Sequence, residues 1–256
     1  MPRPLTPKPD PDVPGVAPKS PENPTTSWSV IQKMSADDPE TVRLALDSLL
    51  QHYWYPIYVF IRAQHQCNHP DAEDITQALM IHLLAKPEIL RRADPSQGTL
   101  RAYLLGCAKN FVLKDWEKRT AAKRDIRHTI AWDSMTAQER YEREPANYMA
   151  PDRLYARSWA LTLLDSTFDK LRAHYREGTI PFDTLRPFLR LEGEASDAQL
   201  GDIARQHRTT AVNLRVRIHR LRKRWRTLIL QEIKQTLHDP TDTAAQVELQ
   251  ELLACL

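Results

Sequence analysis

The sequence predicts an all-α protein, and three observations carry that prediction. Apolar residues recur at steps of three and four through most of the chain. No strictly alternating, β-branched run appears. Glycine is scarce, with 6 residues, while proline is plentiful, with 19. A length of 256 residues suits one large domain or two small ones. The order of periodic segments predicts two small helical domains joined by a linker, the second ending in a helix-turn-helix.

Residues 1–25 are proline-dense and almost free of large apolar side chains, which predicts a disordered, partly polyproline-II tail. A first helical domain is expected over 26–126, beginning near Trp28, Val30, Ile31 and Met34. Asp37-Asp38-Pro39 marks a helix start. The apolar run through Leu49, Tyr53, Trp54 and Tyr55 then meets Pro56, either a kink or a new start. Pro70 opens a helix over 71–85, with Asp71, Glu73 and Asp74 in its first turn, where carboxylates favour the helix dipole. After a turn at Asp94-Pro95 and Gly98, a helix is expected from Leu100 to about Ala121. Its end mixes cations with Trp116, a composition that suits single-stranded nucleic acid but also fits a core tryptophan.

Residues 127–151 lose clear periodicity and read as the linker. The second domain, 152–238, opens on a strong helix through Leu154, Trp159, Leu163, Phe168 and Leu171. A short helix follows at Phe182, Leu185, Phe188 and Leu189. A final amphipathic helix over 239–256 presents Val247, Leu249, Leu252 and Leu253.

The most informative stretch closes the second domain. Leu214, Ile218, Leu221, Trp225 and Leu228 form a buried helical stripe. Asn213, Val216, His219, Arg220 and Lys223 fall opposite it. Arg215, Arg222 and Arg226 flank one side, and Arg217 and Arg224 the other. A short helix over 197–206, the turn His207-Arg208-Thr209 and a capping Thr210 precede it, which makes a helix-turn-helix. In that geometry the start of the second helix meets base edges, while its arginines and lysines grip phosphates.

Net charge is only +3, so a histone-like polycation is excluded; the basic bias is local. Cys67, Cys107 and Cys255 are odd in number and far apart, which argues against a disulfide framework and fits a reducing, cytoplasmic setting. No apolar run reaches the ~18 residues of a membrane span, and the N-terminus has no apolar signal core. His65, Cys67 and His69, with His82 and Cys107, do not follow a structural-zinc spacing, so no metal is expected. No phosphate loop and no nucleophile elbow is present, so no catalytic residue and no cofactor is assigned.

These residues resemble a known family. The segment Tyr53-Trp54-Tyr55-Pro56-Ile57-Tyr58 looks like region 2 of extracytoplasmic-function sigma factors of the sigma-70 superfamily. So do Asp71-Ala72-Glu73-Asp74-Ile75-Thr76-Gln77 and Ala108-Lys109-Asn110 with Asp115-Trp116. Val216 to Arg224 looks like the end of their region 4. Glu144-Pro145-Ala146 and Trp159 to Leu164 are similar to a branch with a long connector and a C-terminal extension. The resemblance implies a cytoplasmic sigma factor that directs bacterial RNA polymerase core to promoter DNA, with an anti-sigma factor as a further candidate partner and no membrane contact. It would place Asp71, Glu73, Asp74 and Gln77 on the polymerase, and Lys109, Asn110, Lys114, Trp116 and Arg119 near the −10 element. Thr210, Asn213, Arg215, Arg217, Arg220, Lys223 and Arg224 would engage the −35 element. The alternative is a stand-alone helix-turn-helix regulator that never touches polymerase.

Two departures stand out. After Gln77 the family has an acidic residue and an aromatic, where this chain has Ala78, Leu79 and Met80. In the helix-turn-helix, a hydrophobic residue and glycine are replaced by His207 and Arg208. A non-glycine residue in a left-handed turn carries a strain cost on the order of 1 kcal/mol; a turn of another shape would avoid it.

Overall fold

The computed structural model describes residues 28, 31, 39–119, 134–146, 148–175, 180–189 and 197–256. Among them every regular element is a helix, and there is no strand. The proposed tail, residues 1–25, and the start of the linker, 127–133, lie outside the described residues.

The helix on which the others pack is α1 (Pro39–His65). Pro56 lies inside it, so the proline continues a helix and does not start one. A proline there forfeits one backbone hydrogen bond, a cost of about 3 kcal/mol. Burial offsets it: Tyr53, Trp54, Tyr55 and every residue from Ile57 to Ile61 are 6% exposed or less. A helix apolar on all sides must be covered on all sides. Trp28 and Ile31, both helical, contribute further buried side chains to the same core.

Three helices supply most of the cover. The second, α2 (His69–Ala85), starts two residues before the sequence suggests, because Asn68 caps it by accepting from the Asp71 amide at 2.9 Å. It buries Ile75, Leu79, Met80 and Leu83. Only Asp71 falls in its first turn; Glu73 lies further along and faces His69 Nε2 at 3.6 Å. A short α3 (Pro87–Arg91) and a 3-10 turn (Pro95–Gln97) follow, then α4 (Leu100–Arg119), which buries Leu100, Leu104, Ala108 and Val112.

The residues expected to link two domains contain a helix, α5 (Ser134–Glu142), with Ala137 buried. Tyr141 of α5 meets Tyr58 edge-on with ring centroids 6.1 Å apart, and Arg62 stacks over Tyr141 at 4.2 Å. Just beyond, the Glu144 side chain is 5% exposed and ion-pairs with Arg157. It also accepts from Tyr55 Oη at 3.3 Å and Ser158 Oγ at 3.5 Å. A buried carboxylate is tolerated only when partnered in this way.

The long α6 (Pro151–His174) lies against α1, with the Tyr53 and Trp159 rings 6.5 Å apart. Two short elements follow, α7 (Phe182–Leu185) and a 3-10 turn (Arg186–Phe188). The helix-turn-helix comprises α8 (Asp197–Gln206) and α9 (Ala211–Thr236). The last helix, α10 (Asp242–Leu253), buries Ala245, Glu248, Leu249 and Leu252. Val247, expected on its apolar face, is exposed instead; Glu248 takes the inward position. The reason is Arg101 of α4, whose Nε donates to Glu248 at 2.8 Å. Tyr155 Oη donates to the Arg101 carbonyl at 2.8 Å, and Trp159 lies under the guanidinium at 5.7 Å.

Glu248→Ala would leave the Arg101 guanidinium largely buried without its carboxylate. A loss of about 3 kcal/mol or more is expected, read as a lower urea midpoint at unchanged m-value. A change within about 0.5 kcal/mol, as at an ordinary surface site, would show that the pair contributes little.

Candidate nucleic-acid interface

The helix-turn-helix is built from short-range rules. Leu200 and Ala204 of α8 are buried, as are Leu214 and Ile218 of α9, and the two helices pack together. Between them α8 closes with the paired hydrogen bonds of a Schellman motif. The Thr209 amide donates to the Ala204 carbonyl at 2.9 Å and the Arg208 amide to the Arg205 carbonyl at 3.4 Å. This motif places Arg208 at φ +50°, in the left-handed region that favours glycine. The turn therefore needs a left-handed residue, and Arg208 bears the strain. Thr210 then caps α9 by accepting from the Asn213 amide at 3.2 Å.

The predicted stripe is buried at Leu214, Ile218, Trp225 and Leu228, while Leu221 is half-buried. Trp225 Nε1 donates to Thr167 Oγ1 of α6 at 3.0 Å. Thr210, Asn213, Arg215, Arg220, Lys223 and Arg224 are exposed. Arg217 differs: it is half-buried, and its Nη1 donates to Tyr175 Oη at 3.4 Å. Arg222 likewise turns inward, its Nε donating to the Phe188 carbonyl at 2.9 Å. Sequence periodicity placed both on the flanks of the stripe, and the flank is where a long cation reaches back to its own fold.

On α4, Lys109 and Asn110 are exposed. The Lys109 ammonium lies 2.7 Å from Asp152 of α6, an exposed ion pair of the kind worth at most about 1 kcal/mol. The side chains of Lys114, Trp116 and Arg119, on the last turns of α4, lie outside the described part. Beside Asn110 opens a cleft of about 770 Å³ between α2, α3 and α4, lined by Leu79, His82, Lys86, Arg92, Tyr103 and Phe111 among others. Burial pushes the Tyr103 phenol up to about 12. It also raises the Cys107 thiol in the same cleft, which keeps it from being an activated nucleophile.

On α2, Asp71 and Asp74 are exposed and Gln77 is half-buried. Asp71, Asp74, Ala78 and Ile81 follow one another at steps of three and four, so they share a face. Glu73 does not join it, because it sits beside His69, whose Nδ1 meets Tyr58 Oη at 2.9 Å. Sequence reading missed Ile81 on this face; its exposure is 37%, and its register with Asp74 and Ala78 was the available signal. Among the described residues, no group of three or more His, Cys, Asp or Glu side chains could hold a metal. Among the same residues, no helix is long and apolar enough to cross a membrane.

Arg208→Gly removes the left-handed strain but adds freedom to the unfolded chain. A net gain of about 0.5–1 kcal/mol is expected, measured as a higher denaturation midpoint. A loss of stability would mean that Arg208 makes a compensating contact.

No family model matches the chain, and searches of curated proteins and of solved structures return no match.

Proposed function

We propose that this chain is a sigma-type initiation factor that lends promoter recognition to bacterial RNA polymerase. It performs no covalent chemistry of its own. The observation that carries the reading is α9, a capped second helix of a helix-turn-helix whose outward face holds Asn213, Arg220 and Lys223 with Arg215 and Arg224 beside them. Base edges would meet the start of that helix, and the cations would hold phosphates on either side. The first half of the chain, through α4, would act as a second module. It would engage the −10 element with Lys109, Asn110, Lys114, Trp116 and Arg119, and polymerase with Asp71, Asp74 and Gln77 of α2.

A second reading, a stand-alone helix-turn-helix regulator, is favoured by Ala78. It is half-buried on the face of Asp71 and Asp74, where the resembled family carries an acidic residue. Reconstitution separates the two. Co-elution of the full chain with bacterial core polymerase, together with promoter-selective run-off transcripts, is expected of the initiation factor. Duplex binding by the chain alone, with no association with core from its own species, would establish the regulator instead.

Within the initiation reading, Arg220→Ala and Lys223→Ala should each weaken binding on every sequence and lower the log–log salt slope by about one unit. An unchanged slope would remove that side chain from the phosphate contacts. Asn213→Ala should instead relax preference at one position, by about 1–3 kcal/mol against the favoured base. Equal loss on all promoters would sink the base-reading role. Trp116→Ala should impair strand opening more than closed-complex binding, as permanganate reactivity would report; equal loss in both would argue against a role in melting.

A further inference from the structure

Val212 and Val216 stand 63% and 45% exposed on the first turns of α9. At ~100° per residue, both lie within about 20° of the line opposite the buried stripe. Valine is a modest helix former, and an exposed valine gains little from burial. Single exposed apolar residues are ordinary. These two form an i,i+4 pair on one face, at the end of the helix that a helix-turn-helix presents to its target. Polar groups surround them: Asn213, Arg215, His219 and Arg220 are all exposed. The surface is thus a small apolar centre inside a cationic, hydrogen-bonding rim. The major groove of a duplex has the complementary form, with thymine methyl groups on its floor and phosphates along its edges.

We infer that Val212 and Val216 are specificity determinants that seat thymine methyl groups in the major groove. The inference rests on the DNA-binding reading above and names the bases that the site prefers. Residues four apart are separated by ~6 Å along a helix, and stacked bases by ~3.4 Å. A helix lying along the groove therefore places its two valines over thymines about two base pairs apart.

The test uses the full chain, alone and with core polymerase, to select duplexes from a randomised pool. Each thymine of the selected site is then replaced by deoxyuridine, which deletes only the methyl group. Two thymines about two base pairs apart should each lose about fourfold in affinity, the ratio for one buried methyl. Val216→Ser should abolish the penalty at one of them and Val212→Ser at the other, each sparing its neighbour. The deoxyuridine arm leaves the protein untouched, so it reads the contact whatever the variants do to folding. A selected site with no deoxyuridine penalty, or with penalties that persist in both variants, overturns this inference and leaves the DNA-binding reading standing. Failure to select any site in either setting overturns both.

Discussion

The structure depends on covering one helix. Residues 53–61 of α1 present apolar side chains in every direction, with Pro56 in their midst. No single partner can bury such a helix, so α2, α4 and α6 close around it, and α6 belongs to the second half of the chain. That requirement explains why two halves that sequence periodicity separates share a continuous apolar core. It also explains the polar fastenings at the seam. Glu144 with Tyr55 and Arg157, and Arg101 with Glu248, join segments far apart in sequence. Each is a charge that burial would make costly if its partner moved away.

The helix-turn-helix obeys a different constraint. Its turn is set by backbone hydrogen bonds, and those bonds demand a left-handed residue whichever side chain the sequence supplies. The capping hydroxyl of Thr210 and the apolar contact of α8 with α9 fix the residues on both sides. The local geometry is thus over-determined, and Arg208 adopts φ +50° because its neighbours leave no other route. The strain is small beside the packing that imposes it.

Much of this was legible in the sequence, and the exceptions have physical causes. The stripe of α9, its cap and the short helix before it follow from periodicity and capping chemistry, which act within a few residues. The helix α5 was not legible, because its anchors, Tyr141 and Arg140, meet the Tyr58 and Tyr55 rings of α1 and not partners along their own segment. The inward turn of Glu248 in place of Val247 was hidden for the same reason: the deciding group, Arg101, lies 147 positions away in the chain. At the candidate site, periodicity separated the inner from the outer face of α9 but could not assign its flanks. Arg217 and Arg222 reach back to Tyr175 and the Phe188 carbonyl, acceptors outside the helix.

That division of the arginines bears on how a chain of net charge +3 can present a basic surface. Arg217 and Arg222 spend their hydrogen bonds on residues 175 and 188, on either side of α7. Trp225 does the same toward α6. These bonds tie α9 to its surroundings at the edges of its buried stripe, in addition to the apolar packing of Leu214, Ile218, Trp225, Leu228, Ile229 and Ile233. Asn213, Arg220 and Lys223 are exposed on the remaining surface of the helix. The inward arginines are thus committed to the fold, and the exposed surface is left to the others. A substitution at Arg217 or Arg222 would remove a bond to residue 175 or 188 and leave the exposed cations of α9 in the sequence untouched.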